Sequence, residues 1–136
     1  MSYVISYFHC VFSTKERRRL LDPELEERLY PFIGGIAREK MKALALGGAE
    51  DHLHILLSLP SNIPVSKAMQ LIKGGSSKWI HQNFPRHQSF AWQEEYGAFS
   101  VSPSQLDAVI SYIQSQKTHH QKASFKAEFL KLLERH

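Results

Sequence analysis

Two histidines in one short stretch have the type and spacing to do chemistry. Asp51-His52-Leu53-His54-Ile55-Leu56-Leu57-Ser58-Leu59 reads as a β-strand, whose side chains alternate between two faces. Leu53, Ile55, Leu57 and Leu59 share one face, enough to anchor the strand in a core. His52 and His54 stand side by side on the other, with Leu56 and Ser58. Neutral imidazoles so placed suit a divalent metal, whereas protonated ones repel each other. Taken alone, the pair is also compatible with ordinary half-exposed strand histidines.

A second set lies on a helix near the C-terminus. At about 100° per residue, Leu106, Val109, Ile110 and Ile113 form its core stripe, and Tyr112, Gln116 and His119 form a second stripe on its flank. A tyrosine four residues before a glutamine puts a nucleophile and a metal-ligating amide on one helical face. The plainer reading of Tyr112 is an amphipathic residue bordering the core, and His119 and His120 read as solvated. Basic residues make a third candidate set. Lys15, Arg17, Arg18 and Arg19 follow directly on a strand end, and Lys73 and Lys78 lie on the polar side of a helix. Clustered cations favour a phosphate backbone, although a solvated loop would look the same.

The elements that must position these residues follow from pattern. Tyr3 to Phe12 is rich in aromatic and β-branched residues and reads as a central strand, with His9 on its Tyr3-Ile5-Tyr7-Val11 face. Asp22-Pro23 opens a helix that should end near Lys40, with Pro31, Gly34 and Gly35 predicting a kink or a weak middle. Lys42 to Leu46 is a strand, and Gly47-Gly48 is expected to turn the chain into the histidine strand. A second helix opens at Ser61-Asn62-Ile63-Pro64. Its stripe of Val65, Ala68, Met69, Ile72, Trp79 and Ile80 is interrupted at Gly74-Gly75. Phe90 to Glu95 is hard to assign to an element. Tyr96 to Ser102 is a strand, and Ser102-Pro103-Ser104-Gln105 fits a capping box opening the tyrosine helix, which should reach about His120. A last amphipathic helix presents Phe125, Phe129, Leu130 and Leu133 as its apolar side. The order β-α-β-β-α-β with additional C-terminal helices is an α+β, ferredoxin-like (RRM-like) antiparallel sheet with two helices on one face. The other face is then free for ligands unless a partner or the last helices cover it.

The chain of 136 residues is one domain's worth, so 1–136 is expected to be a single domain. Its 43% hydrophobic and 22% charged content is that of a folded protein, without low-complexity or repeated segments. A single cysteine, Cys10, allows no internal disulfide and fits a reducing, cytoplasmic setting. No apolar run approaches the roughly 20 residues that cross a bilayer, and no secretory leader is evident. The net charge of +4 permits a polyanionic partner without demanding one.

Together the segments TKERR, DHLHILLSLP, LIKGGSSKW, YGAFSVS and SYIQSQKTHH resemble the single-tyrosine HUH transposases, the TnpA-type enzymes of the simplest insertion sequences and their repeat-associated relatives. The resemblance runs in order over almost the whole chain. The histidine–hydrophobic–histidine motif is weak by itself, but with the downstream Tyr-Ile-x-x-Gln helix it is specific. The resemblance implies that His52, His54 and Gln116 bind Mg²⁺ or Mn²⁺ and that Tyr112 is the nucleophile. It also implies a single-stranded DNA substrate with hairpin ends, and a homodimer in which one subunit's tyrosine helix can complete the other's site. Lys15, Arg17, Arg18, Arg19, Lys73 and Lys78 are the candidates for phosphate contact.

An unperturbed tyrosine, with a pKa of about 10, is a poor nucleophile at neutral pH, so charge neutralisation at the phosphate has to help it. Attack yields a 5′-phosphotyrosine and a free 3′-hydroxyl. One ester replaces another, so strand joining needs no nucleotide triphosphate. Three rival readings remain. A histidine-triad nucleotide hydrolase would want a third histidine where Leu56 sits. A non-catalytic RNA-binding module would need exposed sheet aromatics, for which Tyr3, Tyr7 or Phe8 could serve. A domesticated relative would bind DNA without cutting it.

Overall fold

The structure is a computed structural model that describes residues 4–38, 41–116 and 125–135. Four antiparallel strands make one sheet: β1 (Ile5–Ser13), β2 (Lys42–Gly48), β3 (His52–Pro60) and β4 (Gly97–Val101). Their order is β2-β3-β1-β4, so the histidine strand and β1 are the two inner strands. The α+β ferredoxin-like arrangement is therefore observed.

Helices α1 (Pro23–Arg38) and α2 (Val65–Asn83) cover one face. Leu53, Ile55, Leu57 and Leu59 of β3, with Cys10 and Phe12 of β1, meet Leu25, Leu29 and Ile33 of α1 and Met69 and Ile72 of α2 there. Burial among these apolar neighbours pushes the Cys10 thiol up to about 12, so it stays protonated and acts as a small hydrophobe. The opposite face is not open. Helix α3 (Leu106–Gln114) seals β2 and β3 through Ile113 against Ala45 and Leu56. Helix α4 (Phe125–Arg135) seals β1 and β4 through Leu132 against Val11 and Phe99. Among the described residues, no helix is long and apolar enough to cross a membrane.

Several local expectations are corrected. Gly47 and Gly48 belong to β2, paired with His54 and Leu53, and the turn falls on residues 49–51. Both helices run through their glycines and α1 through Pro31. Pro31 is exposed, so the carbonyl it leaves unpaired on the preceding turn can be hydrated. At Gly75 a Cβ would stand 3.0 Å from Ile36 Cδ1, so the small residue serves the packing of α1 against α2. Ser102 makes no side-chain cap bond. A 3₁₀ turn over Pro103–Gln105 leads into α3 instead. On α4, Leu130 and Leu133 are 51% and 49% exposed, while Glu128 and Leu132 are buried. Phe90 to Glu95 proves to be an extended strap. Its Trp92 bridges to Thr14 and donates to Ser76 Oγ at 2.9 Å. The tyrosine helix ends at Gln114 with Ser115 as its C-cap, short of the expected His120. His119 and His120 lie outside the described residues, as do Tyr3, Lys40 and the Phe125 side chain.

Gly47 has a further task. It lies opposite His54 in the β2–β3 pairing, and a Cβ built on it would sit 2.0 Å from the Ile113 carbonyl oxygen. The missing side chain is what lets the α3 backbone settle onto the sheet beside the histidine. Gly47→Ala is expected to cost about 1–3 kcal/mol, the range for overpacking a filled core, and to lower the melting temperature while lifting α3. A thermal melt indistinguishable from wild type would show that α3 does not sit this close.

Candidate active site

The alternation of β3 puts His52 and His54 on the face covered by α3 and α4, and both are 0% exposed. They are therefore not the half-exposed strand histidines of the plainer reading. Buried imidazoles need polar neighbours at both ring nitrogens, and each nitrogen has one within 3.3 Å. His52 Nδ1 lies 2.8 Å from Asp51 Oδ1, while its Nε2 lies 3.3 Å from Gln116 Oε1 and 3.6 Å from Glu128 Oε2. His54 Nδ1 lies 2.7 Å from His9 Nε2, and its Nε2 lies 3.1 Å from Glu128 Oε1.

Tyr112 on α3 faces the same point, four residues before Gln116, which lies just past the helix end. Its hydroxyl donates to Glu128 Oε1, and its ring stands edge-on to His54 with centroids 5.8 Å apart. Gln116 Nε2 donates back to the Tyr112 carbonyl at 3.3 Å, which turns Oε1 toward His52. The helix spacing and the strand spacing read from sequence thus converge, within one chain.

Electrostatics tie the set together. Burial alone would raise the Glu128 carboxyl. The hydrogen bond and charge of His54, then the Tyr112 hydroxyl and the charge of His52, outweigh it and hold the group well below the usual carboxylate range. Burial first, then the hydrogen bond and charge of Glu128, push the Tyr112 phenol above its ordinary value, against smaller opposite effects of Gln116 and Arg135. The phenol is therefore stored protonated beside an ionised carboxylate.

Ligand atoms of His52, His54 and Glu128 lie within 4.8 Å of one another, so the three could hold a metal ion. The donor chemistry fits a divalent ion: two imidazole nitrogens, one carboxylate and a neighbouring amide oxygen. Asp51 behind His52 is the outer carboxylate such sites use to orient a ligating histidine. Glu128 was not among the residues singled out from the sequence. Its signal is position: Phe125, Glu128, Phe129 and Leu132 fall at i, i+3, i+4 and i+7, so a carboxylate occupies an apolar stripe. His9 likewise needed the β1–β3 pairing to be seen. That register sets Val11 opposite His54 and brings His9 onto the same face, diagonal to it.

The basic candidates separate. Lys15, Arg17, Arg18 and Arg19 are exposed on a 3₁₀ turn and the residues after it, in which Glu16 and Arg17 take left-handed φ values of 58° and 54°. Thr14 Oγ1 holds this segment, donating to the Arg18 carbonyl at 2.6 Å with the Asp51 carbonyl 3.2 Å away. Arg17 lines a shallow cavity with Lys126, Gln93 and Phe129. Lys78 is exposed. Lys73 is used otherwise: its ammonium donates to the carbonyls of Gln93, Glu94 and Glu95 at 2.5, 2.8 and 3.4 Å, fastening the strap to α2.

Fold and site define an α+β protein whose sheet histidines and helix tyrosine surround a place for a metal ion. Residues 2–116 match the family described as "Transposase IS200 like", and the chain belongs to that family of DNA-cutting enzymes. It is 23% identical over 115 residues to the ISDra2 transposase TnpA of Deinococcus radiodurans, covering 80% of this chain and 82% of that protein. It is 30% identical over 78 residues to the transposase for insertion sequence element IS200 of Salmonella typhimurium, covering 57% of this chain and about half (51%) of that protein. Among solved structures, one of a Deinococcus radiodurans R1 transposase superposes with a TM-score of 0.70 at 24% identity, over 85% of this chain and 95% of that one. A REP-associated tyrosine transposase bound to a REP hairpin superposes with a TM-score of 0.66 at 16% identity, over 88% of this chain and 72% of that one. The family resemblance read from the sequence is borne out.

Proposed function

We propose that this chain cuts and rejoins single-stranded DNA at hairpin-bearing ends of a mobile element, through a 5′-phosphotyrosine on Tyr112. The observation that carries the reading is the convergence of Tyr112, Gln116, His52 and His54 on one buried point. His52, His54 and Glu128, with Gln116 alongside, would hold Mg²⁺ or Mn²⁺. A divalent cation there would neutralise a scissile phosphate and favour in-line attack.

The chain's own groups do the rest. The Tyr112 hydroxyl is already bonded to Glu128 Oε1, the atom placed to take its proton as the oxygen bonds to phosphorus. The phosphorus–O3′ bond breaks, and the leaving 3′-oxygen takes a proton from solvent. Attack by a DNA 3′-hydroxyl on the phosphotyrosine reverses the step and joins strands. Lys15, Arg17, Arg18, Arg19 and Lys78 are proposed to contact the DNA backbone, with the Thr14 anchor holding the basic turn beside Asp51. The hairpin bound by the REP-associated relative supports the substrate class. A homodimer is proposed as the working state, although the chain's own Tyr112 already reaches its own histidines.

The rivals lose ground on particular residues. Leu56 packs against Ala45 and Ile113 where a histidine triad would need its third member. Phe8 packs on the core of the α1–α2 face, and α3 and α4 roof much of the other, so among the described residues the half-buried Tyr7 is the one candidate aromatic left for the platform an RNA-binding module needs.

The test is incubation with Mn²⁺ and single-stranded hairpin DNA, followed by denaturing electrophoresis. A covalent protein–DNA band is expected with single strands, lost on chelation and absent with the fully paired duplex. No band with any divalent metal tried would overturn the reading.

A further inference from the structure

His9 touches the site from behind, and the proposed chemistry leaves it without a task. It is 4% exposed on the inner strand β1, with its Nε2 2.7 Å from His54 Nδ1. Its ring also packs edge-on against Tyr112, centroids 5.9 Å apart, and against Phe99 at 6.4 Å. Of the two histidines on β3, each therefore has Nε2 toward the centre of the site and Nδ1 against a partner behind it: Asp51 for His52, His9 for His54.

We infer that His9 is the positioning residue that makes His54 a metal ligand, by accepting a hydrogen bond from His54 Nδ1–H. The inference rests on the metal reading of the His52–His54 pair. With no cation, His54 Nε2 faces the Glu128 carboxylate at 3.1 Å, which favours a proton on Nε2. A ligand needs the opposite tautomer, with the lone pair on Nε2 and the proton on Nδ1. That proton requires an acceptor in a dry place, and the Nε2 lone pair of His9 is the atom within reach. Because the two strands are hydrogen-bonded neighbours, the acceptor is fixed by sheet register and not by a mobile side chain. Outer partners of this kind set ligand orientation and basicity, and their loss typically weakens metal binding about 10- to 100-fold.

The test compares wild type, His9→Phe and His9→Gln by calorimetric titration with Mn²⁺ alone, alongside thermal melts. Phenylalanine keeps the ring packing but offers no acceptor, whereas glutamine can place an oxygen near the position of Nε2. His9→Phe is expected to bind Mn²⁺ about 10- to 100-fold more weakly, with His9→Gln recovering most of the loss. In ¹⁵N-edited spectra with Mg²⁺, the His54 Nδ1–H signal is expected in wild type and His9→Gln and absent in His9→Phe. Affinity within twofold of wild type in His9→Phe would overturn the role of His9 and leave the metal reading standing. Equal loss in both folded variants would also overturn it, marking His9 as packing only. Failure of wild type itself to bind Mn²⁺ would remove the metal reading, and this inference with it.

Discussion

Tyr112→Phe is expected to abolish the covalent protein–DNA adduct, a loss of about 10⁴-fold or more in its rate of formation, because removing a nucleophile leaves only binding and charge stabilisation behind. The substitution deletes one atom and keeps the ring, so the edge-on contacts with His9 and His54 persist. What disappears is the hydroxyl and its bond to Glu128. Glu128 keeps His54 3.1 Å away and His52 3.6 Å away, so the buried carboxylate is still opposed by imidazoles. Binding of labelled hairpin DNA should therefore stay within about twofold of wild type, since the exposed basic turn proposed to contact the backbone is untouched. The check is a denaturing gel for the adduct beside a filter-binding titration. An adduct of undiminished yield would assign the nucleophile elsewhere, and the exposed Tyr96 would be the first residue to substitute next.

The second large effect is expected at His52. His52→Ala should reduce Mn²⁺-dependent cleavage by about 10²- to 10⁴-fold, but it also empties a fully buried position and strands Asp51 and Gln116 without their partner. His52→Asn separates the two effects. An asparagine amide can stand near Nδ1 and keep the bond to Asp51, while no atom reaches the position of Nε2. If His52 is a ligand, both variants lose cleavage, and adding Mn²⁺ moves activity back only partly. If its role is packing alone, His52→Asn keeps near-normal activity while His52→Ala does not. Cleavage rate against Mn²⁺ concentration, measured beside thermal melts, distinguishes the two. Persistent cleavage by a folded His52→Asn protein would refute the ligand assignment.

Much of this arrangement is legible in the sequence because two periods carry it. Alternation along β3 separates Leu53, Ile55, Leu57 and Leu59 from the histidines, and a four-residue step aligns Tyr112 with Gln116. What was not legible depends on how elements meet. Glycine pairs usually punctuate a chain, yet Gly47 and Gly48 serve as strand residues, because the α3 backbone stands where a Gly47 side chain would be and the β3 backbone at His52 and Leu53 where a Gly48 side chain would be. The same approach of α3 removes the open sheet face that element order alone leaves available. Leu130 and Leu133 were assigned to the inner side of α4, but the buried face is set by Glu128 and Leu132, because the histidines beneath attract a carboxylate there. His9 could be placed on a strand face but not against His54, since the β1–β3 register is a property of two strands at once. Lys73 looked like the other lysines of α2, and only the strap folded against it gives its charge an internal use.

His9, His52 and His54 all ride on the two strands that have neighbours on both sides. Backbone in such a position opens only when the whole molecule does, whereas helices laid over a sheet can lift in smaller, less costly excursions. On the proposed chemistry the labour is divided: the inner strands would keep the three histidines in register, and the helix layer carrying Tyr112 and Glu128 would be the part that yields to an incoming strand.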